Sequence, residues 1–213
     1  MDINEMHERF LTLKRQGQGA YHSREEIDRF LNDASNDKFT DEKKLFEANG
    51  YISDNLRNFK KSGTITFTAG LGDLPANYAY RTNAATIVTP PALPQRVEIV
   101  PEGEWIERIN DPIAVPSATD PICAIREQIQ IYPASIASMT LYYLEKPATM
   151  VFGYTTDGDG NTIYDSGTST DCDWPEDAQV SIILMALTYA GVSLPDDIMM
   201  KFFGFKKATE KNG

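Results

Sequence analysis

The chain has 213 residues, 41% of them hydrophobic and 24% charged, enough for one large domain or two small ones with an ordinary core. Its 31 acidic residues outnumber 20 basic ones, for a net charge of -11. That balance excludes a basic face broad enough for tight, counterion-releasing DNA binding, although an acidic wall would let a duplex slide past it. Two cysteines, Cys123 and Cys172, stand outside any CxxC pair and fit a reduced, cytosol-assembled protein. The opening MDINEMHERF is polar, so no secretory signal is expected. The longest apolar block, residues 180–190, is interrupted by Ser181 and Thr188, and no membrane span or membrane partner is expected.

Residues 1–61 read as helices. Ile3, Met6, Phe10 and Leu13 make one apolar stripe, which Gln16-Gly17-Gln18-Gly19 ends. Ser23 and Glu26 form a capping box for a second helix with Ile27, Phe30, Leu31 and Ala34 on one face. Thr40 is expected to cap a third, carrying Leu45, Ala48, Ile52, Leu56 and Phe59, with a break available at Gly50. Residues 63–170 hold ten of the twelve prolines and most of the β-branched alternation. Strands are expected at 64–68, 96–100, 128–132 and 139–143, with a short helix carrying Trp105 among them. Residues 150–154 and 161–164 flank Asp157-Gly158-Asp159-Gly160 and read as a hairpin. Pro175, Glu176 and Asp177 suit the first turn of a last long helix that Gly191 ends, and Pro195 opens another. Nine of the eleven residues 180–190 are apolar, which reads as a helix buried on every side.

The expected fold class is α+β. Helical segments 1–61 and 173–213 pack as one bundle, and residues 62–172 form an inserted antiparallel β-sandwich or barrel-like domain. A bundle of that size cannot cover residues 180–190 by itself, so the surplus apolar surface is expected between subunits.

The candidate chemistry is thin. Asp157, Asp159 and Asn161 imitate a calcium loop, but Thr162 replaces its glycine and Thr168 its bidentate glutamate, so no metal is expected there. His7 and His22 lack acid or cysteine partners at ligand spacing and are expected at the surface. Glu102, Glu104, Glu107 and Asp111 around Trp105 read as a solvated helix face rather than a glycosidase pair. Gly70-Leu71-Gly72 is a turn, with no GK[ST] following it. Cys123 reads as a core position. No catalytic residue, cofactor or metal ligand is assigned, and the chain is not expected to be an enzyme.

One block carries more than composition. Glu104-Trp105-Ile106-Glu107-Arg108-Ile109, Ile129-Gln130-Ile131-Tyr132-Pro133, Leu141-Tyr142-Tyr143-Leu144-Glu145-Lys146-Pro147 and Asp173-Trp174-Pro175-Glu176-Asp177 together resemble head-to-tail connector proteins of crAss-like and related tailed phages of Bacteroidales, as does Ile27-Asp28-Arg29-Phe30-Leu31-Asn32-Asp33-Ala34. The resemblance implies a virion structural protein, assembled in the host cytoplasm. It would be the subunit of an oligomeric, dodecameric ring of the collar type, between portal or capsid and tail around the DNA channel. Its partners would be further copies of itself, the portal protein, neighbouring tail ring proteins and genomic DNA passing without tight contact. Val180, Ile182, Ile183, Met185, Tyr189, Met199, Met200 and Phe202 are the candidate assembly residues, and Lys206 and Lys207 the candidate contacts to portal or DNA. The alternative is a β-sandwich binding module, an adhesin or carbohydrate binder, using Tyr78, Tyr80, Trp105 and Tyr154.

Overall fold

The computed structural model describes residues 1–16, 21–50, 54–89 and 93–192. Helices and strands are both extensive, so the fold class is α+β. The chain divides into two compact units, one made of residues 1–58 with the chain from 147 onward, the other of residues 59–146.

In the first unit, α1 (Ile3–Gln16) buries Ile3, Met6, Phe10 and Leu13, the stripe that its three- and four-residue spacing dictates. Asp2 starts it by accepting the Glu5 amide at 2.7 Å. The long α2 (Arg24–Asn49) begins at the expected capping box. There the Ser23 hydroxyl accepts the Glu26 amide (3.2 Å) while Glu26 accepts the Ser23 amide (2.9 Å). It ends at Gly50, whose φ of 71° is the left-handed cap that glycine adopts most cheaply. Thr40 caps nothing. It lies inside α2 with its hydroxyl donating to the Asn36 carbonyl (3.0 Å), because no glycine or proline interrupts residues 24–49. The last described helix, α4 (Glu176–Tyr189), packs against both α1 and α2.

The second unit holds the sheets. In chain order it runs β1 (Lys60–Thr66), β2 (Leu71–Asp73), β3 (Tyr78–Thr89), β4 (Leu93–Arg96), β5 (Glu98–Ile99), α3 (Trp105–Ile109), β6 (Ile122–Ile125), β7 (Gln128–Tyr132) and β8 (Ser138–Glu145). One four-stranded sheet has the order β1-β8-β3-β4 and is antiparallel. The other, β2-β7-β6-β5, is mixed, because β5 runs parallel to β6. Ile65, Met139, Leu141 and Tyr143 of the first sheet share one core with Cys123, Ile129 and Ile131 of the second. Gly72 on β2 permits this closeness, since a Cβ there would stand 2.7 Å from Ile65 and 2.9 Å from Phe67. The expected strands at 128–132 and 139–143 are present; β3, the longest, went unread because its sequence does not alternate.

Residues 147–172, grouped with the β segment on sequence alone, lie with the helices. They include the hairpin of β9 (Tyr154–Thr156) and β10 (Thr162–Tyr164). What holds them there is the side of α2. Asn32 donates to the Met150 carbonyl and accepts its amide, both at 2.8 Å, and Asp28 accepts the Phe152 amide at 2.9 Å. Among the described residues no helix is long and apolar enough to cross a membrane.

Met150 is buried, so an Asn32→Ala chain would strand both of its backbone groups without a partner. Leaving such groups unmade costs about 1–3 kcal/mol each. Urea denaturation is expected to show a loss of about 3 kcal/mol for Asn32→Ala. The exposed control Asn36→Ala should stay within about 0.5 kcal/mol of the parent. Equal midpoints for the two variants would refute the role given to Asn32.

Candidate functional site

The sequence-predicted assembly residues divide by their place on α4. Ile182 and Ile183 are buried with Ala178, Ala186 and Leu187. Val180 and Met185, with Leu184, are only half-buried. Tyr189 is 41% exposed and donates its hydroxyl to Asp37 on α2 at 2.6 Å, which raises its pKa to about 12. The helix is therefore not buried on every side: Val180, Leu184 and Met185 are half-buried, and Thr188 and Tyr189 are exposed. Met199, Met200, Phe202, Lys206 and Lys207, and the helix expected after Pro195, lie outside the described residues.

Both histidines depart from the surface role expected of them. His7 is 1% exposed. Its Nε2 lies 2.7 Å from Asp28 Oδ1, and its ring stacks on Phe152 with centroids 4.6 Å apart. The Arg24 guanidinium sits 4.5 Å from the centroid of the same Phe152 ring. His22 is largely covered too, edge-on to Phe30 and 3.6 Å from Glu26. A His–Asp pair invites a catalytic reading, but a general base must reach the proton it takes. His7 has no such access: its Nδ1 is buried with no hydrogen-bond partner among the described residues. The pair orients Phe152 and joins α1 to α2.

Trp174 does comparable work. Its indole nitrogen donates to the buried Ser35 hydroxyl at 2.8 Å, and the Lys38 ammonium lies 5.8 Å from its ring centroid. Gln179 closes the turn behind it, donating to the Trp174 carbonyl at 2.7 Å. Asp173 accepts the Ala148 amide (3.1 Å), and its carbonyl accepts from Asn58 (2.8 Å).

The remaining candidates are also occupied by local structure. Asp157 accepts the amides of Asp159 (3.0 Å) and Asn161 (2.7 Å) and the Asn161 side chain (3.0 Å). Those bonds, the Asn161 side chain first, hold its carboxyl below the usual range. It organises the hairpin tip. Around Trp105, which is buried, Arg108 ties Glu98 (2.8 Å) and Asp111 (3.8 Å) together, and Arg126 meets Glu102 (3.2 Å). Burial pushes the Cys123 thiol up to about 12 and Cys172 to about 11. Among the described residues no group of three or more His, Cys, Asp or Glu side chains could hold a metal ion.

The feature that sequence reasoning missed is apolar. Ile106, Ile113 and Val115 are 71%, 95% and 59% exposed, within ten residues of one another. Ile106 lies in α3, and the turn that follows it to Val115 is held by hydrogen bonds. Asp111 accepts the amides of Ile113 (2.8 Å) and Ala114 (3.2 Å), Arg108 donates to the Ala114 carbonyl (3.1 Å), and Pro116 is buried. Three aliphatic side chains this exposed within ten residues are a candidate interaction surface, since exposed apolar patches commonly mark one. The signal available in the sequence was the pair Pro112 and Pro116 bracketing Ile-Ala-Val.

No protein-family model matches the chain, and no curated protein sequence matches it.

The thiolate, not the thiol, attacks an aromatic disulfide reagent. With pKa values raised to about 12 and about 11, both cysteines are almost fully protonated at pH 8. Native protein is expected to react far more slowly than unfolded protein, in which both thiols should titrate at once. Stoichiometric reaction of the native chain within the dead time of mixing would contradict the raised pKa values of the two thiols.

Proposed function

We propose that the chain is a non-enzymatic virion structural protein, the subunit of an oligomeric ring that joins portal and capsid to the tail around the DNA channel. The resemblance of its sequence blocks to phage connectors motivates the reading, and a dodecamer is the ring size it implies. The structural observation that supports it most is the exposed aliphatic loop Ile106, Ile113 and Val115, on a chain of net charge -11. An acidic surface keeps a subunit soluble, and a local apolar platform gives it somewhere to meet a neighbour.

In this reading the helices of the first unit form a bundle, and the two sheets of the second form an inserted sandwich. A ring closes through head-to-tail contacts in which one face of a subunit meets a different face of the next. Obligate contacts of that kind bury more than about 2,000 Å². The half-buried Val180 and Met185 of α4 and the exposed aliphatic residues 106, 113 and 115 are the apolar side chains available for such a contact. The acidic excess disfavours a grip on phosphate and leaves the genome free to pass.

The binding-module alternative asks for an aromatic platform on the β unit. Trp105 and Tyr78 are packed in hydrophobic clusters instead, and the exposed Tyr154 belongs to the other unit, where it donates to Glu25 at 2.9 Å. Those placements favour the ring.

Val180→Asp and Met185→Asp test the α4 face, because both side chains are half-buried and a charge there can stay hydrated in a monomer. At a dry contact the same charge loses several kcal/mol of hydration. Each variant is expected to keep the parent's circular dichroism and to sediment as a smaller species. Ile182→Asp is the contrast, since Ile182 is fully buried and its charge should unfold the subunit. Val180→Asp and Met185→Asp chains that assemble like the parent would remove α4 from the interface.

A further inference from the structure

The loop of residues 102–120 is acidic as well as apolar. Glu102, Glu104, Glu107, Asp111 and Asp120 face a single base, Arg108, so the segment carries a net charge of -4. Glu104 and Glu107 are exposed, and neither is in an ion pair among the described residues. The three aliphatic side chains thus share a short stretch of sequence with unneutralised carboxylates, and Asp111 and Arg108 hold the backbone at residues 113 and 114. An occupant matching this surface would be apolar and cationic at once. DNA is not one, because its phosphates meet the same carboxylates.

The chain itself contains a segment of that chemistry. Residues 201–213 carry Lys201, Lys206, Lys207 and Lys211 against Glu210 alone, a net charge of +3, and interleave them with Phe202, Phe203 and Phe205. Twenty-one residues follow Val192, the last one described, and a chain of that length spans at most about 70 Å.

We infer that residues 201–213 of one copy dock on the acid-rimmed aliphatic loop 106–115 of a neighbouring copy. The phenylalanines cover Ile106, Ile113 and Val115, and the lysines pair with Glu104 and Glu107. The contact is heterologous, tail to platform, which is the geometry a closed ring requires. It rests on the ring reading for bringing two copies side by side, and it names the surfaces that meet.

The test uses the full chain with a photo-crosslinking phenylalanine analogue in place of Ile113, a position so exposed that the fold should not register the change. Isotopically light and heavy copies are mixed and irradiated, the cross-linked peptides are mapped, and the same samples are sedimented. Mixed light–heavy cross-links between position 113 and residues 201–213 are expected. They should fall several-fold in Lys206→Glu/Lys207→Glu chains, and again in salt, as the screening length drops from about 10 Å at 0.1 M to about 3 Å at 1 M. Adding Glu104→Lys/Glu107→Lys to the reversed tail should restore them. Cross-links confined to single copies, absent from residues 201–213, or indifferent to charge reversal would overturn the docking. Ring-sized particles without mixed cross-links would sink the docking and spare the ring. Monomers that still give mixed cross-links would do the opposite.

Discussion

Irregular chain buried against a helix has to find partners for its amides and carbonyls, since a helix uses up its own. Residues 147–152 meet that requirement through two side chains one turn apart on α2. Asn32 pairs with both backbone groups of Met150, and Asp28 takes the Phe152 amide with one oxygen and His7 with the other. Once Phe152 is held, its ring becomes the surface on which His7 of α1 and Arg24 of α2 both rest. Farther along the same helix Ser35 fixes Trp174, and the turn behind Trp174 starts α4. Helix placement in this unit follows from the polar edge of α2 as much as from its apolar face.

Those bonds explain which parts of the fold were legible. The stripe of α1 and the Ser23–Glu26 box are short-range patterns, and they read correctly. His7 could have been placed: it lies four residues from Ile3 and three from Phe10, on the same face, so a buried histidine follows from taking spacing ahead of residue type. Thr40 misled because a hydroxyl that caps a helix can equally bond the carbonyl four residues back. The membership of residues 147–172 was not readable, because partners such as Asn32 and Met150 are 118 positions apart. The 106–115 loop carries no period at all. Its exposure depends on how Asp111 and Arg108 fold the chain back, and no local pattern announces that.

The residues that carry the connector resemblance have structural jobs here. Asp28, Asn32, Asp173 and Trp174 hold the first unit together, while Trp105 anchors α3 beneath the exposed loop. The proposed assembly draws instead on half-buried side chains of α4 and on the exposed aliphatic and acidic residues of the 104–115 segment. A head-to-tail ring needs two different faces on each copy, and the proposed function assigns them to these side chains.

The claim on which everything else turns is that the subunit closes on itself. Native mass spectrometry of the wild-type chain, purified alone and diluted through a concentration series, addresses it directly. A single closed species of many copies, twelve by the connector resemblance, with no ladder of open intermediates, is the expected result. A monomer at every concentration, or an unbounded series of masses, would contradict it.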